Sequence, residues 1–241
     1  MTIRDAARED STEQKWPSHL VIVRHGESER NVAKDAAKRA ELHSFGSGLR
    51  DMDTKLTPRG HLQARSVGER LAKQYRFDVL FTSPYQRTRQ TSDEIASTLI
   101  HKPPVVVEER IREIEFGVLD GLTPKGIKAK YPEEDARRER ERKYWYRPPG
   151  GESRPDVALR VQSFLGTLAR DYREKSVLIV CHSVVVLIFR RLLERWGESD
   201  YLKVDNEADV LNCSLTIYDY DRDKKKLVLK DFNAICYSDS D

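Results

Sequence analysis

Residues Leu20-Val21-Ile22-Val23 run without a polar break into Arg24-His25-Gly26. A short apolar run closed by glycine reads as a strand buried on both faces, as strands are inside an α/β sheet. Arg24 and His25 then stand at the strand's carboxyl end, where open α/β sheets place their ligand crevice. For an isolated Arg-His-Gly a structural reading would serve as well. The remainder of the chain decides between the two.

The polar, Ala-rich stretch 28–40 predicts a short helix beginning near Asn31, and 42–55, with two glycines, a loop over the crevice. Thr57 as N-cap with Pro58 at the first helical position opens a helix striped by Leu62, Val67 and Leu71. A second buried strand covers 79–82. Ser83-Pro84 repeats the strand-to-helix start, with a helix to about Ile100, and Val105-Val106-Val107 is a third strand. This β-α-β-α-β order belongs to a sheet with helices on both faces. From Glu108 to Gly151 the pattern loosens into a highly charged segment, read as an inserted helical lid over about 118–150. Ser153-Arg154-Pro155-Asp156 is a capping box, and its helix aligns Val157, Val161, Phe164, Leu165, Leu168 and Tyr172. Residues 176–181 form a fourth buried strand ending in His182, followed by a helix from about Val184 to Trp196. Strands near 211–218 and 227–232 complete the chain. The expected fold is α/β, a three-layer α/β/α sandwich with a mostly parallel central sheet. Its single domain covers 18–235, between a flexible tail at 1–17 and an acidic tip at 236–241.

Composition narrows the function. The 241 residues carry a net charge of +3, with Lys and Arg interspersed among nearly as many Asp and Glu. That suits small anionic substrates and argues against a nucleic-acid surface. No apolar stretch approaches the roughly 20 residues of a membrane span, and the first seventeen residues lack the apolar core of a secretory signal. Cys181, Cys213 and Cys236 are far apart and odd in number, which predicts reduced thiols in a cytoplasmic protein.

Two strands therefore end in histidine, at His25 and His182. In a parallel sheet both lie along one edge. Arg87 stands one turn into the helix after Ser83, and Glu113 follows the third strand. None of the six histidines lies within four residues of another, so no metal is expected. No Gly-x-Ser-x-Gly elbow supports a serine nucleophile. Two arginines beside two histidines suit a dianionic phosphoryl group. A neutral histidine can be its nucleophile, and a carboxylic acid can protonate the leaving oxygen and then activate water. No cofactor is required.

The motifs Arg24-His25-Gly26-Glu27-Ser28-x-x-Asn31, Leu56-Thr57-Pro58-x-Gly60, Ser83-Pro84-x-x-Arg87-x-x-x-Thr91, Arg112-Glu113-x-x-x-Gly117, Gly151-Glu152-Ser153 and Val180-Cys181-His182 occur in one order over residues 20–218. In that order they resemble the histidine phosphatase superfamily, the phosphoglycerate mutase-like proteins. The resemblance implies that His25 is phosphorylated, that Arg24, Arg87 and His182 hold phosphoryl oxygens, and that Glu113 is acid and then base. Asn31 either binds phosphate or orients His25, or simply caps its helix. Ser183 stands where many members have glycine and would narrow the pocket.

The segment from Tyr131 to Ser153 is similar to the bisphosphatase half of 6-phosphofructo-2-kinase/fructose-2,6-bisphosphatase. That likeness offers Arg138 and Lys143 (or Arg142) as substrate-binding residues. Tyr144, Tyr146 and Arg147 are added as candidates for the specificity side, with packing the favoured role for the two aromatics. Pro124, Arg154, Ser183 and Leu187 depart from that enzyme's sugar pocket. Only some 34 residues separate Gly117 from Gly151, shorter than the usual mutase insertion, which favours hydrolysis. The expected activity is hydrolysis of a small phosphorylated metabolite. A cofactor-dependent mutase, a sugar bisphosphatase and a non-catalytic phospho-ligand module are the alternatives. Apolar residues near Trp196 and Tyr201 are the candidate face for a homodimer.

Overall fold

The computed structural model describes residues 14–46, 48–207 and 209–237. Its sheet has six strands: β1 His19–Arg24, β2 Val79–Thr82, β3 Val105–Val107, β4 Ser176–Cys181, β5 Leu215–Asp221 and β6 Lys226–Ala234. They lie in the order β3-β2-β4-β1-β5-β6. The first four in that order are mutually parallel, and β5 and β6 are antiparallel additions.

The two-faced burial of β1 is literal. Leu20 and Ile22 enter one core and Val21 and Val23 the other, all fully buried. The same alternation runs along β4, where Val177, Ile179 and Cys181 oppose Leu178 and Val180. One face is covered by α6 (Arg154–Asp171) and α7 (Ser183–Glu194), through Val157, Val161, Phe164, Val185 and Ile188. The other is covered by α2 (Pro58–Gln74) and α3 (Gln86–Thr98), through Ala64, Val67, Leu71 and Ile95. The three expected layers are therefore present. Between Gly117 and Gly151 lie α4 (Pro124–Lys130) and α5 (Pro132–Trp145), and α8 (Glu198–Glu207) follows α7.

Several expectations shift. Helix α1, Glu29–Arg39, begins two residues earlier than predicted because Ser28 and Asn31 form a complete capping box. Helix α3 starts after Tyr85, since Ser83 spends its hydroxyl elsewhere. Strand β3 is not a core strand: its three valines lie at the sheet edge, each more than a third exposed. The loop between α1 and α2 is tied to the start of the insertion. Phe45 N–H donates to the Gly121 carbonyl, and Thr123 Oγ1 donates to the Leu42 carbonyl.

At the ends, Trp16 packs against the α6/α7 core, so the expected tail is anchored there; residues 1–13 lie outside the described residues. Cys236 and Tyr237 pack on the opposite core, and the rest of the expected acidic tip is likewise outside the described residues. The expected dimer face is not a free surface. Tyr201 is fully buried, and Trp196 is covered by the Arg190 guanidinium, 4.4 Å from its ring centroid.

The Thr57-Pro58-x-Gly60 motif has a steric reason. Thr57 caps α2 by accepting from the Gly60 N–H. A Cβ on Gly60 would lie 2.1 Å from the Glu27 carbonyl oxygen, and one on Gly26 would lie 2.5 Å from the Gly60 carbonyl oxygen. The two glycines thus let α2 abut the strand end that carries His25. Gly60→Ala is expected to cost about 1–3 kcal/mol by overpacking. Gly166→Ala, in open space on α6, is expected to gain up to about 1 kcal/mol from helix propensity. Thermal melts of the two variants, shifted in opposite directions, check this.

Candidate active site

Strand register brings the two histidines together. Arg24 pairs with Cys181 across β1 and β4. The next residues, His25 and His182, therefore emerge side by side, with ring centroids 5.2 Å apart. Thr82 pairs with Val180 on the other side of β4, so Ser83 comes level with Cys181, one residue before His182, and its side chain reaches the His182 ring. Ser83 Oγ lies 2.7 Å from His182 Nε2.

His25 is 3% exposed. Its Nδ1 lies 2.8 Å from the Gly26 carbonyl oxygen. A carbonyl can only accept, so the ring proton belongs on Nδ1, and Nε2 carries the lone pair. Arg87 Nε donates to that Nε2 at 3.2 Å. Burial, then Arg87 and Arg24, hold the His25 pKa well below 6.5, so the imidazole is neutral. His182 is depressed in the same way, first by burial and then by Arg87 and His25. Its Nδ1 is buried with no hydrogen-bond partner among the described residues. When Ser83 donates to Nε2, this Nδ1–H is a donor waiting for an oxygen.

The Arg24 guanidinium is fixed at one end, where Nη1 donates to the Val210 carbonyl, while its buried Nε has no hydrogen-bond partner among the described residues. Backbone bonds from Cys213 N–H to the Arg24 and His25 carbonyls, and a side-chain bond from Asn212 Nδ2 to the His25 carbonyl at 3.0 Å, clamp this strand end from the segment before β5. Asn31 serves mainly as a cap: Oδ1 accepts from Ser28 N–H, Ser28 Oγ and Asn212 Nδ2. Ser183 is half-buried at the first position of α7.

Glu113 is 7% exposed and accepts from the Ile114 N–H. Burial is the largest influence on it and raises its pKa above the ordinary carboxylate value, so it tends to hold its proton. The Gly151-Glu152-Ser153 motif braces it. Glu152 accepts from Arg112, Arg160 and the Glu115 N–H, while Arg160 also donates to the Glu113 carbonyl at 3.2 Å. Gly117, at φ 53, turns the chain beneath the Pro149 carbonyl, a close approach that excludes a side chain.

The candidate residues of the insertion fall elsewhere. Tyr144 is buried in the α6/α7 core with its ring 5.3 Å from that of Tyr201, so it packs. Lys143 is paired with Asp205 of α8 at 2.7 Å. Arg147 is bound to Asp156 at the start of α6. Lys143 and Arg147 are corrections to the expected substrate contacts, while Tyr144 takes the packing role favoured for it. Arg138 is half-buried on α5 near Tyr146.

Two residues of the site were not anticipated. Asp51, in the 3-10 turn Asp51–Asp53 of the loop over the crevice, meets Arg87 with both carboxylate oxygens, at 2.8 and 3.2 Å. Arg30 of α1 is ion-paired through Nε with the same carboxylate at 2.9 Å, and also meets Asp120 at the start of the insertion. Arg30 falls within the Arg24–Asn31 motif, which was the only signal available.

The chain matches the model of the histidine phosphatase superfamily (branch 1) over residues 20–233. It is 34% identical over 165 residues to phosphoserine phosphatase 1 of Hydrogenobacter thermophilus, covering 68% of this chain and 71% of that one. It is 35% identical over 208 residues to a 2,3-bisphosphoglycerate-dependent phosphoglycerate mutase of Brucella melitensis, covering 82% and 94%. Among solved structures, mycobacterial glucosyl-3-phosphoglycerate phosphatase superposes with a TM-score of 0.68 at 26% identity, over 90% of this chain and 99% of that one. With its motifs, its strand-end histidines and these relatives in agreement, the chain belongs to the histidine phosphatase superfamily and is an enzyme of that family.

Proposed function

We propose that this enzyme hydrolyses a small phosphorylated metabolite through a phospho-histidine on His25. The observation that carries the reading is the Nδ1 contact of His25 with the Gly26 carbonyl, which leaves the buried, neutral ring with its Nε2 lone pair as the nucleophile. In the first step Nε2 forms a bond to phosphorus as the ester P–O bond breaks, and Glu113 gives its proton to the leaving oxygen. In the second, the Glu113 carboxylate takes a proton from water, the water oxygen bonds to phosphorus, and the N–P bond breaks to release inorganic phosphate. Arg24, Arg87 and His182 bear the charge on the phosphoryl oxygens, which is most of what phosphoryl transfer needs. Asn31 and Ser183 stand beside them.

Relatives that act as phosphatases support hydrolysis. A specific observation favours one second reading: a mutase relative aligns over nearly its whole length. A sugar bisphosphate is the less favoured substrate, because Lys143 and Arg147 are already paired. Three unpaired cysteines support a cytoplasmic setting.

The test is phosphate release from a panel of phosphoserine, phosphoglycerates, sugar phosphates and bisphosphates, with EDTA present. Release ranks the substrates. Interconversion of 2- and 3-phosphoglycerate with no release, on addition of the bisphosphate, would replace the hydrolase by the mutase.

A further inference from the structure

Arg87 has five N–H donors. Nε–H is on His25 Nε2. Nη1 donates to the Asp51 backbone carbonyl at 2.7 Å and to its Oδ1 at 2.8 Å, and Nη2 donates to Oδ2 at 3.2 Å. Four of the five are thus engaged before any substrate arrives, three of them by one residue. The guanidinium side chain is 4% exposed and that of Asp51 14%, so this is a shielded pair rather than a surface contact. A phosphoryl group on His25 needs the donors that Asp51 holds. It also needs Arg87 Nε to leave the Nε2 lone pair.

Resting on the hydrolase reading, we propose that Asp51 is a specificity-determining residue, an internal anion that occupies the phosphoryl-binding edge of Arg87 and must be displaced by the substrate's phosphoryl dianion.

Arg30 makes the displacement feasible. Asp51 Oδ1 is shared between Arg87 Nη1 and Arg30 Nε, at 2.8 and 2.9 Å. A carboxylate leaving Arg87 therefore keeps a cation and is not stranded. The Arg30 guanidinium lies over the Phe45 ring, 5.0 Å from its centroid, and reaches Asp120, which holds it in place to receive the carboxylate. The competition is between a bidentate carboxylate carrying one charge and a phosphoryl group carrying close to two. The dianion wins, while a monoanionic carboxylate or a phosphodiester does not. The same carboxylate returns to Arg87 as inorganic phosphate leaves, so it lowers product affinity as well.

The test is Asp51→Asn, which keeps size and the backbone carbonyl but removes the competing charge. Binding of inorganic phosphate to the resting enzyme is measured by calorimetry, with KM for p-nitrophenyl phosphate measured in parallel. Phosphate is expected to bind about tenfold more tightly to the variant, on the scale of one partly shielded charge interaction. KM is expected to fall with it. Unchanged or weaker phosphate binding, in a variant that melts with the wild type, would overturn the proposal. Should Asp51→Asn fail to fold, Arg30→Gln reads the same competition from the other side. Loss of the receiving cation is expected to weaken phosphate binding several-fold, and no change overturns the proposal. Because calorimetry needs no turnover, an enzyme that binds phosphate but releases none would count against the hydrolase reading alone.

Discussion

His25→Asn is expected to release no measurable phosphate from any substrate, a loss of at least about four orders of magnitude, because the proposed nucleophile is removed. Asn keeps a side-chain amide close to the position of Nδ1 and can still donate to the Gly26 carbonyl, so the strand end is expected to hold its shape. What disappears is the lone pair at the Nε2 position that Arg87 Nε meets. The direct check is acid-labile phosphate. Wild type quenched in base during turnover carries label on one histidine, whereas His25→Asn carries none while melting as the wild type does. Residual turnover in the variant within about a hundredfold of wild type would mean that another group attacks phosphorus.

Glu113→Gln has the second-largest effect, and its size depends on the leaving group. Alkyl phosphates need a proton on the departing oxygen, so their turnover is expected to fall by about 10²–10⁴-fold. p-Nitrophenolate leaves without one, so the first step survives. The second step, which needs the carboxylate as base, slows instead. The variant is expected to show a burst of one p-nitrophenolate per chain followed by a slow phase, with phospho-enzyme accumulating. Equal losses for both substrates without a burst would remove Glu113 from proton transfer.

The pH profile follows from the same two groups. Glu113 is raised by burial, so its acid form persists above the ordinary carboxylate range and is lost as pH rises through that raised value. His25 is lowered by burial and by Arg87 and Arg24, so it stays neutral as the solution is acidified and protonates only below that lowered value. Turnover of alkyl phosphates is therefore expected to be highest on the acid side of neutrality. Its alkaline limb belongs to Glu113 and disappears in Glu113→Gln.

The sheet and the five central residues were legible because their determinants are local. A run such as Val177 to Cys181 has to be buried on both sides, and a histidine directly after it has one place to stand. Helix starts were legible where a cap is a sequence neighbour, as at Thr57 and Ser153. Beyond that, charge was legible but pairing was not. The insertion's basic residues looked available for substrate, yet Lys143 finds Asp205 and Arg147 finds Asp156, partners that only tertiary packing supplies. Asp51 is the converse case. In sequence it is one acid among polar loop residues, and only the fold carries it onto Arg87. Tyr201 misled for a related reason: an aromatic in a charged segment gives no sign of which side of its helix is covered.

The strand order also bears on how the chain is made. During synthesis β1, β2 and β3 emerge first, but β1 has no neighbour among them: its partners are β4 and β5. The strand that leads into His25 must therefore wait, with its apolar faces and backbone groups uncommitted, until β4 and β5 have been made. Such long-range closure is slow and exposes sticky edges meanwhile. A nascent chain stalled anywhere before residue 176 can hold a helix or the β2–β3 pair, yet it has no sheet through which to assemble a working pocket. Catalysis in this enzyme therefore waits for β4 and β5 to be made.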